Sequence, residues 1–170
     1  MATTTPLNGW PVPTSTDYVK DGATAIEALG DAIDASTGKG LLAWQTYAPT
    51  LSGGWANGNG VWSARYCQIG KTVHVQSFFT VGSTTTRGTN MFVSLPVTAQ
   101  SATNGNLNSG YCVIGSIYNL NVYPSTTTTM QVHATNSSFT YAVQVGITSA
   151  IPATWATGST MSLSFTYEAA

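Results

Sequence analysis

From residue 41 onward, apolar and polar residues alternate with a period of two. Along 72–81, Val73, Val75, Ser77, Phe79 and Val81 fall on one side; Thr72, His74, Gln76, Phe78 and Thr80 fall on the other. The alternation recurs in Met91, Val93 and Leu95, and in Tyr111, Val113, Gly115 and Ile117. It recurs again in Met130, Val132 and Ala134, in Phe139, Tyr141, Val143, Val145 and Ile147, and in Met161, Leu163, Phe165 and Tyr167. Successive side chains of a strand point to opposite faces, so this period predicts half-buried strands. A further strand opens the region at 41–47, and segments 63–68 and 72–81 flank Ile69-Gly70-Lys71, which reads as a hairpin turn. Turn-rich stretches at 52–60, 82–89, 100–109, 124–128 and 149–158 separate the strands. About seven to nine strands so spaced predict an all-β head over residues 41–168, a β-sandwich or jelly roll.

Before residue 41 the period changes. In 22–37, Ile26, Leu29 and Ile33 fall at i, i+3 and i+7 with Ala25, Ala28 and Ala32 beside them, and acids occupy the other side. That is the apolar stripe of an amphipathic helix, with Asp21 as N-cap and Gly38 as stop signal. A lone helix of this length is marginal in water and needs a partner surface. The partner is either the β domain or further copies of the helix. A helix placed ahead of the domain as a linker favours an oligomer seam of Ile26, Leu29 and Ile33. Residues 1–21 hold Pro6, Pro11 and Pro13 among threonines and read as an extended arm without a core. Trp10 and Tyr18 in this arm dock either on their own domain or on a partner that the arm grips.

Composition strengthens the strand reading. Only 6% of residues are charged while 42% are hydrophobic, against roughly 25% charged in an average soluble protein. Threonine, β-branched and suited to a pleated surface, supplies about one residue in six. The charge is also unevenly placed: Asp17, Asp21, Glu27, Asp31 and Asp34 precede residue 35, Glu168 is the sixth acid, and 41–167 contains neither Asp nor Glu. With a net charge of −1 and five Lys and Arg, no basic stripe exists for nucleic acid. No apolar run is long enough to span a membrane, and the first residues lack the charged and apolar regions of a secretory signal. So weakly charged a surface does little to keep molecules apart, which favours an obligate oligomer or a place in a larger assembly.

The carboxylate-free stretch bears on chemistry. Glycoside hydrolysis usually needs two flanking carboxylates, and the head has none to supply between Asp34 and Glu168. A Cys–His nucleophile could form from Cys67 with His74 across a hairpin, or from Cys112 with His133 across strands, but each needs an orienting third group. Cys67 shares a strand side with Ser63, Arg65 and Ile69, so surface histidines and inert thiols are the plainer reading. The two cysteines are either buried free thiols or a pair. No spaced metal motif and no cofactor motif is present, although an ion on an oligomer axis would need one ligand per chain. Trp55, Asn57, Asn59 and Trp62 lie in 54–62, where Trp faces and amides would suit a sugar; tight Asn-Gly turns and core packing explain the same residues. Trp155 reads as a loop-packing residue.

Several segments resemble one family. Residues 13–26 (Pro-Thr-Ser-Thr-Asp-Tyr-Val-Lys-Asp-Gly-Ala-Thr-Ala-Ile) are similar to the opening of minor tail or fibre-like proteins of tailed bacteriophages, closest to those of actinobacterial phages. So are 44–51 (Trp-Gln-Thr-Tyr-Ala-Pro-Thr-Leu) followed by Gly58-Asn59-Gly60, then 66–75 (Tyr-Cys-Gln-Ile-Gly-Lys-Thr-Val-His-Val), Ser94-Leu95-Pro96-Val97, and 152–168. The likeness covers most of residues 10–168, in motifs of turns and strands. It implies a virion protein made in the host cytoplasm and displayed on the particle surface. It implies a homotrimer with an attachment arm held by another tail or capsid protein, a helical neck and a β-sandwich head that meets a host-surface glycan or protein. Long fibres carry a shaft that this chain lacks, so a compact spike on tail tip or capsid fits equally. A capsid decoration or head fibre with a purely structural role is the alternative, and a carbohydrate-active enzyme a distant third.

Overall fold

The computed structural model describes residues 3–5, 9–12, 18, 21–40, 43–102, 108–136 and 142–170, with residues 3, 34–40 and 108 through their backbone. The chain falls into two compact units, residues 1–43 and 44–170.

In the first unit β1 (Thr3–Thr4) pairs antiparallel with β2 (Pro11–Val12), so the expected extended arm contains a small ribbon. Local hydrogen bonding explains this. The Thr5 N–H donates to the Trp10 carbonyl at 2.8 Å, the Trp10 N–H donates to Thr5 Oγ1 at 2.9 Å, and Gly9 takes the left-handed conformation at φ +66°. Pro11 is tolerated because a two-stranded ribbon leaves one edge of each strand outside the ladder. Helix α1 (Gly22–Gly40) packs against β2. It runs past the expected end at residue 37, through the glycine read as a stop. Its half-buried positions include Ala25, Leu29 and Ala32, whereas Ile26 is 66% exposed and Ile33 is also exposed. The expected seam therefore divides: Leu29 sits on the half-buried side and the two isoleucines face outward.

The second unit is built on one antiparallel sheet. Its strands are β3 (Gln45–Thr46), β4 (Leu51–Ser52), β5 (Val61–Ile69), β6 (Thr72–Thr80), β7 (Phe92–Ser94), β8 (Asn108–Ile114), β9 (Ser116–Pro124), β10 (Thr129–Asn136), β11 (Val143–Gly146) and β12 (Thr160–Glu168). They run in the order β3-β5-β6-β12-β8-β9-β10-β7-β4, with β11 also on β10. One side carries the core: Val73, Val75 and Phe79 of β6, Met161, Leu163 and Phe165 of β12, Cys112 of β8, Leu120 and Val122 of β9, and Met130 and Val132 of β10. A sheet that buries one continuous face has to curl on itself, and this one does; the unit is mostly β. Tyr167 ties the end of β12 to a loop, its hydroxyl donating to the Val97 carbonyl at 2.7 Å and accepting from the Val97 N–H at 3.2 Å.

The strict alternations of β6, β10 and β12 bury the side read from the sequence. The β5–β6 turn is likewise as read: Ile69 pairs with Thr72, and Gly70 at φ +58° supplies the first central residue of a tight hairpin. Residues 111–117 are different. The sequence reads as one strand with Tyr111, Val113 and Ile117 inward, but Gly115 at φ +71° reverses the chain, pairing Ile114 with Ser116. Cys112 and Leu120 face the core, and Tyr111, Val113 and Ile117 lie exposed, the last at 72%. Apolar residues occupy both faces here, so period alone cannot select the buried one. Of the strand read at 41–47 only Gln45–Thr46 is β, with 41 and 42 outside the described residues. Of the strand read at 139–147, Val143–Gly146 is β11, and 139 and 141 lie outside the described residues.

Candidate functional site

The tryptophan loop is a structural corner. Trp55 is 3% exposed and meets Trp155 edge-on, with ring centroids 5.5 Å apart. Trp155 in turn donates Nε1–H to the Ile151 carbonyl at 3.0 Å. Trp62 leans on Phe79 with centroids 4.5 Å apart. The amides are engaged too: Asn57 donates from Nδ2 to the Pro49 carbonyl at 2.8 Å and accepts from the Leu51 N–H at 3.0 Å. Asn59 Oδ1 accepts from the Thr84 N–H and hydroxyl at 2.8 and 2.9 Å, and its Nδ2 donates to Ser83 Oγ at 3.0 Å. At Gly58, φ +54°, a Cβ would strike the Thr84 carbonyl oxygen. The groups read as a sugar platform are thus spent within the fold: Asn59 joins the loop to Ser83 and Thr84, Asn57 ties it to Pro49 and Leu51, and Trp55 and Trp62 pack on Trp155 and Phe79. In the first unit, Trp10 is half-buried beside the ribbon turn and Tyr18 is 74% exposed.

The Cys–His pairs divide as well. Cys67 lies opposite His74 in the β5–β6 ladder, but His74 Nδ1 bonds the Thr166 hydroxyl at 2.9 Å, so the third group is an alcohol and not a carboxylate. Cys112 and His133 are not brought together. Strand β9 stands between them, Cys112 faces the core, and His133 lies on the outer face with Nε2 2.8 Å from the Tyr123 hydroxyl. Desolvation lowers the His133 pKa, and a backbone hydrogen bond with Gln144 partly opposes that. Burial pushes the Cys112 thiol up to about 11. Both thiols are buried and free, on opposite faces of the sheet. Among the described residues no three His, Cys, Asp or Glu side chains gather where they could hold a metal ion.

A different surface emerges from the register. On the outer face of β5, β6 and β12, Ser63 lies opposite Phe78 and Phe78 opposite Ser162; one step along, Arg65 lies opposite Gln76 and Gln76 opposite Ser164. Together with Thr46 of β3 these side chains line a groove of about 470 Å³. Its floor is low where serines stand, and Phe78, 40% exposed, rises beside them. Arg65 is held in place: Nε and Nη2 donate to Gln76 Oε1 at 3.2 and 2.9 Å, and the guanidinium lies 4.6 Å from the centroid of the Trp44 ring. The alternation implied that these residues face outward, but bringing 63–65, 76–78 and 162–164 together required the long-range register of β12. No protein-family model, no curated protein and no solved structure matches the chain, and no helix among the described residues is long and apolar enough to cross a membrane.

Proposed function

We propose that this chain is a structural protein of a tailed-bacteriophage virion. In this reading it is a homotrimeric spike at the tail tip, with the N-terminal segment held by another virion protein, α1 as the neck, and a β-sandwich or jelly-roll head that takes part in host-surface recognition. The observation that carries the reading is the outer face of the head's sheet, where uncharged hydrogen-bonding side chains surround a groove with one arginine. The segments that resemble fibre-like proteins support it, because they fall on the scaffold: the corner at 58–60, the β5–β6 hairpin, the segment after β7, and β12. The exposed isoleucines of α1 suit a neck in which copies meet. A catalytic role lacks carboxylates, since the sequence from 41 to 167 has none.

Burial of Trp55 and engagement of Asn57 and Asn59 favour a second reading, a capsid decoration or head fibre with a purely structural role. Reconstruction of the virion with the protein located in it separates the two. A position at the tail tip, with the isolated protein adhering to host envelope, supports recognition. A position on the capsid with no adherence selects decoration.

A further inference from the structure

We infer that the groove across β5, β6 and β12 binds an acidic sugar chain: Arg65 meets a sugar carboxylate, Phe78 lies under a pyranose face, and Ser63, Ser162 and Ser164 bond hydroxyls. This rests on the host-recognition reading and names its ligand class and site. The volume, about 470 Å³, is in the range of small-molecule sites, roughly 300–1,000 Å³. The guanidinium is preorganised by Gln76 and Trp44. Two of its five N–H groups are spent on Gln76, and three are left without a partner among the described residues. A planar fork with free donors matches a carboxylate, and such charge-assisted bonds are about twice as strong as neutral ones.

Charge complementarity points the same way. Residues 44–170 hold Arg65, Lys71 and Arg87 against Glu168, three minus one, a net of +2. Residues 1–43 hold Lys20 and Lys39 against Asp17, Asp21, Glu27, Asp31 and Asp34, two minus five, a net of −3, and the sum is the −1 of the chain. The one acid of the head is not near: Glu168 lies opposite Thr72 and Ser164 opposite Gln76, four residues or about 13 Å apart along β12. Within residues 44–170 no carboxylate lies beside Arg65, so this unit offers an anion a cation that its own acid does not neutralise.

The rest of the lining selects a sugar. A nucleic acid needs several cations along its phosphates, and the groove has one. A peptide strand needs an open sheet edge, whereas β6 is paired on both sides by β5 and β12, β12 by β6 and β8, and β5 at Arg65 by β6 and β3. Side chains alone can read the ligand here: hydroxyls, an amide, a guanidinium and a ring face, which is the set that suits a polyhydroxylated ring. Tyr111, also exposed, lies opposite Ser162 on its other side. Two aromatic rings thus flank a serine across two strand spacings, about 10 Å, room for a chain and not just a single sugar.

Calorimetry with the full chain tests the site, using trigalacturonate as the acidic probe and maltotriose as the neutral one. The expected result is binding of trigalacturonate, weakened at least tenfold in Arg65→Gln and in Phe78→Ala, unchanged in Lys71→Gln, and absent for maltotriose. Arg65→Lys, which keeps the charge and loses the fork, should fall between, and matching melting curves show that each variant folds. Trigalacturonate binding that Arg65→Gln alters less than twofold overturns the site, as does equal binding of both probes. If neither probe binds while the protein still adheres to host cells, the groove is wrong and the recognition reading stands. If trigalacturonate binds through Arg65 but the protein adheres to no host cell, the recognition reading fails and the sugar site stands.

Discussion

Replacing Trp55 by Ala distinguishes a structural corner from a ligand platform. The side chain is 3% exposed and packs against Trp155, so truncation removes a large buried ring and leaves a cavity, at a cost of about 3–5 kcal/mol. The edge-on contact carries about 0.5–1.5 kcal/mol of the interaction beyond area burial. One term opposes: the Trp55 indole N–H is buried with no hydrogen-bond partner among the described residues. Trp55→Phe, which keeps a ring and removes that donor, should therefore cost much less, about 1 kcal/mol. With an unfolding entropy of about 2.1 cal/mol/K per residue, a head of residues 44–170 should lose about 10–20 °C in Tm for the alanine variant. Guanidinium denaturation of the full chain at fixed protein concentration, followed by circular dichroism, measures both variants, since any oligomer makes stability concentration-dependent. A Trp55→Ala loss under about 1 kcal/mol, the range of an exposed ligand residue, would refute the argument, as would a phenylalanine variant as weak as the alanine one.

In the proposed oligomer, Ile26→Asp with Ile33→Asp should separate the copies, and an unchanged mass by light scattering removes a seam through these outward isoleucines. Alkali should destabilise the head. Burial raises the Cys112 thiol from 9.0 to about 11 and the Tyr167 phenol from 10.0 to about 12. Raised folded-state values mean that this stability is fully present below about pH 9 and is lost as pH climbs towards 12; a Tm flat across that window contradicts the assignment. Gly58→Ala should cost more than about 1 kcal/mol, because alanine has both the positive φ and the Thr84 carbonyl against it, and a denaturation midpoint equal to the parent's would contradict that.

The parts of the fold legible in the sequence share a trait. Strands β6, β10 and β12 place large apolar residues on one face and Thr, Ser, His or Gln mostly on the other, so a single period fixes both strand and buried side. Residues 111–117 defeat that logic, because Tyr111, Cys112, Val113 and Ile114 leave the two faces equally apolar and a single glycine makes the turn. The tryptophan loop shows another limit: residue types announce aromatic rings and amides, but whether they meet a ligand or the fold depends on partners elsewhere, Trp155 for Trp55 and Ser83 and Thr84 for Asn59. The groove was hidden for a related reason. Its serines and Arg65 were visible as outward positions, yet nothing local in 160–168 says that this segment lies beside 72–80.

That placement has a consequence for biosynthesis. Strand β12 is the last of the sheet's strands to leave the ribosome, and its slot lies between β6 and β8, near the middle of the order. Until it arrives, each of those neighbours presents an unpaired edge. The sheet is therefore completed only after its last strand has been translated, with β5 and β6 on one side of the gap and β8, β9 and β10 on the other. A truncation that removes β12 therefore takes out the keystone of the sheet and not one of its margins.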